Sequence, residues 1–342
     1  MATVTRTWGS APHGPGASML VSAEGRVAGS VSGGCVEAAV CAMAEEVLAD
    51  RTPAVGRWGV GDGDALEAGL TCGGTIEVLV REITPGVPLG RVAADVDAGV
   101  PVALVTSVSR GGGLAAGGGT VTGTLGDPRV DRAAALAAEG MLGRGVSGLV
   151  HGSAGEPDCA PRGELLVQSF AARPRLLVFG ATEFARPLAG IGASLGHRVT
   201  VCDARPAFAL PERFPGADEV VADRPDRWFR AHADGVDAAT AVCVLTHDAR
   251  FDVPVLALAL GSRAGYVGAM GSRRTHEDRL ARLREAGLTD GELARLKSPI
   301  GLDLGGRGPE ETALSIMAEI IAERRGGSGM PLTAGSGPVH GA

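Results

Sequence analysis

The sequence predicts an α/β protein in which a doubly wound parallel sheet follows a β-rich α+β domain. Three observations predict it. From about residue 175, continuous apolar stretches alternate with amphipathic ones, the pattern of strands covered by helices on both faces. The first of these stretches, Leu176-Leu177-Val178-Phe179, runs into Gly180 and then a helical segment, which is the strand–turn–helix of a Rossmann-type nucleotide crossover. Before residue 171, strand-favouring runs dominate and glycine-rich turns separate them.

The chain has 342 residues, enough for two domains, each with its own core. We place the boundary at Ala171-Ala172-Arg173-Pro174, giving domains at 1–170 and 171–326. A Gly/Ser/Pro-rich tail, 327–342, has the composition of disorder. The net charge of −7 comes without a basic stripe or interleaved aromatics, which argues against nucleic acid as the main partner. No apolar run approaches the roughly 18 residues of a membrane span. Met1 to Trp8 lacks the hydrophobic core of a signal peptide, so a cytoplasmic protein is expected. The six cysteines, at 35, 41, 72, 159, 202 and 243, form no Cys-x-x-Cys pair and have no histidine at zinc-ligand spacing. Neither a structural zinc site nor disulfides are expected in a reducing compartment.

In the first domain, Ala17–Val21 and Arg26–Ser30 flank Ala23-Glu24-Gly25 as a hairpin. Ser32-Gly33-Gly34-Cys35 then leads into a helix from Val36 to Asp50, whose apolar residues recur at three- and four-residue steps. A second glycine-rich element, Thr71-Cys72-Gly73-Gly74, enters the alternating strand Thr75–Val80. Pro101–Val108 and Glu164–Phe170 read as strands and Asp131–Glu139 as a short helix. Gly111 to Gly119 reads as a flexible hairpin tip or loop.

In the second domain, Leu176–Phe179 precedes a helix at 183–195, and Arg198–Cys202 is a strand ending at Asp203. Ala241–Leu245 is a later strand ending at Thr246-His247-Asp248, followed by a helix at 251–260. Gly265–Met270 is a strand, Arg273–Ala286 a charged amphipathic helix and Pro309–Arg325 the closing helix. Proline at its first turn and Glu310 and Glu311 near its positive end suit that last helix.

The chemistry-bearing candidates follow from these placements. Gly180 holds the first position of the dinucleotide fingerprint, but Thr182 replaces its second glycine and Ala185 its third. A threonine there crowds a pyrophosphate. Asp203 stands where a ribose-binding carboxylate belongs, and Arg205 beside it leaves NADP-like phosphate contacts open. The alternative is a Rossmann-type scaffold with a changed ligand or none. His247 and Asp248 lie at a strand end on the edge of the sheet where ligands bind, though a lone histidine is more often structural. Gly271, Ser272 and Arg273 can hold an anion at a helix start, or simply cap the helix. Cys35 follows two glycines, Gly33 and Gly34, at a helix start where the dipole favours a thiolate; Cys72, also beside a glycine pair, can face it. Burial in tight turns is the bland alternative for both. It is also the reading adopted for Cys202 and Cys243, which sit inside apolar strands.

These strings together resemble the XdhC/CoxI family of accessory factors for molybdenum-containing xanthine, aldehyde and carbon monoxide dehydrogenases. The resemblance rests on Gly9-Ser10-Ala11-Pro12, Gly29-Ser30-Val31-Ser32-Gly33-Gly34-Cys35-Val36-Glu37 and Cys72-Gly73-Gly74 in the first half. In the second it rests on Gly180-Ala181, Val199 to Pro206, Leu245–Asp248, Tyr266–Arg274, Pro299–Asp303 and Pro309–Ile316. It implies a protein that binds molybdenum cofactor (molybdopterin), guards it while a sulfido ligand is installed with a cysteine desulfurase, and passes it to an apo-dehydrogenase. Helix starts at 180–185 and 271–274 would then serve the pterin phosphate, and Cys35 or Cys72 the molybdenum side as a soft thiolate.

Two departures bear on that reading. Thr182-Glu183 stands where many relatives have Gly-His, which counts against ordinary dinucleotide binding. Relatives commonly carry a further helical segment before Gly9-Ser10; a chain without it is expected to expose an apolar patch and either to be weakly stable or to form an obligate homodimer. Three functions are weighed: a cofactor chaperone without turnover of its own, an NAD(P)-dependent oxidoreductase, and a nucleotide-sensing docking module. The first leads, because the fingerprint is broken and the only Tyr and Lys, Tyr266 and Lys297, do not form a Tyr-x-x-x-Lys acid pair.

Overall fold

The computed structural model describes residues 1–59, 73–109, 112–151 and 164–334. They divide into two compact units, Met1–Ala172 and Arg173–Ala334.

The first unit holds two five-stranded antiparallel sheets. One contains β1 (Ala2–Trp8), β2 (Ser18–Val21), β3 (Val27–Gly29), β4 (Ala54–Gly59) and β5 (Thr75–Val80) in the order β3-β2-β1-β5-β4, with α1 (Glu37–Asp50) packed on it. Val40 and Val47 of α1 join Val4, Met19, Ile76 and Val78 in one core. The central strand β1 carries buried threonines that sequence patterning does not mark as core. Thr3 shares a hydrogen bond with Ser18, and the Thr5 hydroxyl donates to the Glu77 carboxylate at 2.8 Å, so neither hydroxyl is buried without a partner.

The second sheet follows, with α2 (Leu89–Asp97), β6 (Val102–Ser107), β7 (Gly113–Gly117), β8 (Thr120–Thr124), α3 (Pro128–Arg144), β9 (Gly148–His151) and β10 (Glu164–Phe170). Its strand order is β8-β7-β6-β10-β9. Val102 and Leu104 of β6 meet Val92 of α2, while Ala103 and Val105 meet Ala134 and Ala138 of α3. A strand covered on both faces must be largely apolar, and Val102–Val105 is. The glycine-rich run expected to be a flexible hairpin tip or loop is a hairpin with its tip at Gly118-Gly119, but residues 113–117 are a fully buried strand; Gly111 lies outside the described residues. The glycines there are packing requirements: a Cβ on Gly117 would lie 2.4 Å from the Pro101 carbonyl oxygen. Arg6 joins the two sheets by pairing with Glu77 and Glu164.

The second unit is the doubly wound domain. Its elements run β11 (Arg175–Phe179), α4 (Ala185–Ser194), β12 (Arg198–Asp203), β13 (Glu219–Ala222), α5 (Pro225–Ala231), β14 (Ala241–Val244), α6 (Ala249–Leu260), β15 (Tyr266–Ala269), α7 (Arg273–Glu285), α8 (Asp290–Leu293), β16 (Leu296–Lys297) and α9 (Pro309–Arg325). All six strands are parallel in the order β13-β12-β11-β14-β15-β16, the reversal of direction falling between β11 and β14. Leu176 and Val178 face α4 and α9, whereas Leu177 and Phe179 face the side of α5, α6 and α7. Among the described residues no helix is long and apolar enough to cross a membrane.

Gly180 closes β11 where the chain turns toward α4. Its φ is +113°, and a Cβ would sit 2.6 Å from Thr246 Cγ2 and 3.0 Å from the Thr246 amide nitrogen. The glycine is therefore demanded by the neighbouring strand end, quite apart from any ligand. Gly180→Ala is expected to destabilise the second unit by about 1–3 kcal/mol from backbone strain, and more from the clash. Urea unfolding monitored by Trp228 fluorescence would measure it; an unchanged midpoint would contradict this account.

Candidate functional site

In the first unit the loop before α1 is organised around one carboxylate. Val36 is the N-cap of α1 and Glu37 its first residue, so Cys35 lies just ahead of the first turn. Gly33 and Gly34, both with positive φ, are exposed, and Cys35 is half-buried against the core beneath them. Glu37 Oε1 accepts from Ser30 Oγ (2.6 Å) and from the amides of Val31, Ser32 and Gly33 (3.2, 2.9 and 3.1 Å). Its Oε2 accepts from Ser32 Oγ (2.5 Å) and the amides of Gly34 and Val36 (2.9 and 3.2 Å). Desolvation raises the carboxyl pKa, but the Ser30 and Ser32 donors outweigh it and hold the group far below the usual carboxylate range. Gly73-Gly74 packs on the Gly9-Ser10 turn, where a Cβ on Gly74 would meet the Ser10 backbone at 2.5 Å. Cys72 lies outside the described residues.

In the second unit the candidates gather at the carboxyl ends of β11, β12, β14 and β15. Asp203 is 2 % exposed, and both of its oxygens are engaged. Oδ2 accepts from the Ala181 amide and Arg205 Nη2, each at 2.8 Å, and Oδ1 from the Arg205 amide and Nε, each at 2.9 Å. Burial pushes its pKa up, yet the Arg205 and Ala181 donors prevail and the carboxyl lies below its ordinary value. Arg205 also stacks on the Phe208 ring at 4.2 Å. The position that binds a ribose in a dinucleotide enzyme is thus filled from within.

The remaining candidates divide into caps and open groups. Asp248 caps α6, accepts from the Arg250 amide at 3.0 Å and pairs with the Arg250 guanidinium, which holds its pKa down to about 2. Ser272 caps α7 by accepting from the Thr275 amide. His247 and Arg273 are exposed, and Arg273 has no carboxylate partner among the described residues. Thr182 Oγ1 is buried without a hydrogen-bond partner among the described residues. It lines a cleft of about 810 Å³ with Arg186, Arg213, Phe214 and Pro309. A second cleft, about 540 Å³, is lined by Phe184, Gly271, Arg273, Ile300 and Arg307.

Beneath these groups lies a buried ion pair that sequence reasoning missed. Asp252 of α6 and Arg279 of α7, each with a side chain 4 % exposed, approach to 3.6 Å. Thr246 donates its hydroxyl to Asp252, while Arg279 donates to the Met270 carbonyl and to Ser298 Oγ, both at 2.8 Å. One pair thereby ties the ends of β14 and β15 to the segment after β16. Burial raises the Asp252 carboxyl above its usual value, against the pull of Thr246 and Arg279. A charged residue inside an otherwise apolar helix, Asp252 in Phe251–Leu260, is the one signal that could have found it.

The Tyr266 hydroxyl donates to Glu319 at 2.5 Å and Lys297 Nζ to Glu323 at 2.6 Å, so both are committed to α9. Cys202 and Cys243 are buried in strands; burial pushes the Cys202 thiol up to about 12 and the Cys243 thiol higher still. Among the described residues no group of three or more His, Cys, Asp or Glu side chains could hold a metal ion.

A nucleotide-type α/β unit with an occupied ribose position, joined in sequence to a unit bearing a glycine-rich cysteine loop, defines a class apart from ordinary dinucleotide enzymes. Family comparison agrees: residues 176–320 match the XdhC Rossmann domain and residues 1–59 the XdhC and CoxI family. The chain is 30 % identical to a Bacillus subtilis protein named as a probable subunit of xanthine dehydrogenase, over 95 % of this chain and 93 % of that one. It is 27 % identical to the molybdenum cofactor insertion chaperone PaoD of Escherichia coli, over 95 % of this chain and 83 % of PaoD. The crystal structure of a xanthine dehydrogenase from Bacillus halodurans superposes with a TM-score of 0.71 at 26 % identity, covering 95 % of this chain and 91 % of that one. The chain belongs to the XdhC and CoxI family.

Removing one partner of the buried pair strands the other. Asp252→Ala is expected to cost about 3–5 kcal/mol, and the double change Asp252→Leu with Arg279→Met distinctly less. Thermal unfolding of the three chains checks the order. The stability that Asp203 contributes is full above the unfolded carboxyl value near 4 and is lost as pH falls through its lower folded value. Asp203→Asn should therefore flatten the acid limb of stability against pH, measured by urea unfolding between pH 2 and 6.

Proposed function

We propose that this protein is an accessory factor that binds molybdenum cofactor as cargo, supports its sulfuration with a cysteine desulfurase, and delivers it to a xanthine, aldehyde or carbon monoxide dehydrogenase. The observation that carries the reading is the internal engagement of Asp203 by Ala181 and Arg205. A redox dinucleotide would have to break those bonds to reach the carboxylate, and would meet Thr182 where its pyrophosphate needs glycine. A phosphorylated pterin makes neither demand. Two relatives support the same direction by name, one as a molybdenum cofactor insertion chaperone and the other as a probable part of a xanthine dehydrogenase.

The residues suit such a cargo. The larger cleft has the size of ordinary small-molecule sites and offers the unpartnered Thr182 hydroxyl with Arg186 and Arg213 for a phosphate, beside the carboxylates Glu183, Glu212 and Glu310 that can meet hydrogen-bond donors of a pterin. The second offers Arg273 and Arg307 beside the start of α7. Arginine is the side chain suited to phosphate oxygens. Cys35 or Cys72 would serve the molybdenum side as a soft ligand or guard. The cargo brings its own redox metal, which serves the client enzyme; this chain binds, shields and releases, without turnover of its own. A cytoplasmic homodimer is the form in which we expect it to work.

The strand order of the second unit favours a second reading, an NAD(P)-dependent oxidoreductase. One preparation separates the two. The protein is purified from a molybdenum-replete host and oxidised, fluorescent pterin is assayed, and NAD(P) is titrated in parallel. Pterin is expected without NAD(P) binding below the millimolar range. No pterin together with micromolar NAD(P) affinity would overturn the chaperone reading. Cys35→Ala and Cys72→Ala should each lower pterin retention or sulfuration; if neither changes, the thiols are not part of the site.

A further inference from the structure

The loop Ser30–Val36 has the form of an anion nest, in which successive amides converge on one point. In a phosphate-binding protein that point is left for the ligand. Here Glu37 fills it: five amides and two hydroxyls of the loop donate to its two oxygens. Two further bonds reinforce the ring. Ser30 Oγ accepts from the Gly33 amide at 2.8 Å and Ser32 Oγ from the Val36 amide at 3.0 Å. Several of the donors are therefore oriented by the carboxylate and by their neighbours at once.

We propose that Glu37 is a positioning residue: an internal anion that closes the nest, holds Gly33-Gly34 in their positive-φ turn and fixes Cys35 before any cargo arrives. The loop consequently takes no phosphate of its own. It presents the exposed backbone of two glycines beside the half-buried Cys35. The proposal rests on the reading that Cys35 meets the cargo, but the loop geometry stands independently of what the cargo is.

Three points support positioning over simple helix capping. A carboxylate at the first turn normally satisfies one or two amides of its own helix. Glu37 instead reaches back as far as the Val31 amide, and all but one of its amide partners precede Cys35. Gly33 and Gly34 would meet nothing within 4 Å if given a Cβ, so their left-handed geometry is not forced by packing. What the structure places against their amides is Glu37.

The test uses the full chain and reads the alkylation rate of Cys35 by iodoacetamide, followed by peptide mass spectrometry. In the unaltered protein, millimolar inorganic phosphate or acetate is expected to leave the rate unchanged. Glu37→Ala empties the nest: the rate should rise roughly five- to tenfold as the loop opens. Acetate or phosphate should then bring it back toward the original value by refilling the amides. Glu37→Gln, which places an amide donor against other donors, should give an intermediate rise and no rescue; it carries the test should the alanine chain not fold. Phosphate slowing Cys35 alkylation in the unaltered protein would overturn the proposal. So would rates that match the unaltered protein in both variants with intact thermal unfolding. Loss of the molybdenum reading is visible separately, as pterin retention that ignores Cys35→Ala while the alkylation pattern holds.

Discussion

A carboxylate buried where two parallel strands end must find donors or take up a proton, and Asp203 finds its donors in its own turn and across one strand. The Ala181 amide comes from the turn after β11, and the amide and guanidinium of Arg205 come from the turn after β12. This one arrangement fixes both turns beside the point where strand order reverses. It also decides what the unit can bind there. In an open α/β sheet that crevice is the default ligand position, and here its acidic member is already engaged.

The same physical device recurs through the molecule with different consequences. Glu37 closes the loop before α1, and Glu311 accepts the Arg307 and Gly308 amides at the entry to α9. Asp131 does likewise for the Leu125 amide ahead of α3. The chain carries more acidic than basic residues, and it uses several of them as fixed anions at sites that other proteins leave for phosphate. Opposed to them stands Arg279, buried and paired with Asp252, whose remaining donors hold the Met270 carbonyl and Ser298. The ends of the strands are thus braced from beneath by a pair whose members cost too much to leave alone. The groups above, Thr246 to Asp248 and Gly271 to Arg273, inherit their positions from it.

Much of this was legible from sequence because burial is legible. Leu176–Phe179, Ala241–Val244 and the 273–285 helix announce themselves by apolar continuity or by charge at helical spacing, and their order gives the doubly wound sheet. The strand β1 was not legible, since Thr3 and Thr5 turn their hydroxyls toward partners on β2 and β5 that no local pattern reveals. Nor was the Gly113–Gly117 strand, where glycine marks close contact with Pro101 and Thr106 and not a flexible tip. Site residues followed the same division. Positions such as Gly180, Asp203 and Ser272 could be assigned to strand ends and helix starts, but whether each faces a ligand or its own chain depends on partners distant in sequence or on turn geometry. Glu37 stood in plain view inside Ser32–Glu37, yet the glycines and cysteine drew the reading because a nest is recognised by its amides, not by what fills it.

The distribution of occupied and open groups then constrains the ligand more tightly than the fold does. The acid that a dinucleotide enzyme would offer to a ribose is engaged, and Tyr266 and Lys297, which could otherwise move a proton, are bound to Glu319 and Glu323. Around the strand ends Arg186, Arg273, His247 and the Thr182 hydroxyl stand uncommitted, and the same clefts carry the carboxylates Glu183, Glu212, Glu310 and Asp303. The arginines among them are the groups suited to the oxygens of a phosphate. Under the proposed reading these arginines hold the phosphorylated end of the cargo, while the engaged Asp203 leaves no ready acceptor for a ribose. The geometry that sets the second unit apart from the usual dinucleotide site is, on this reading, the same geometry that leaves its clefts to a phosphorylated cofactor.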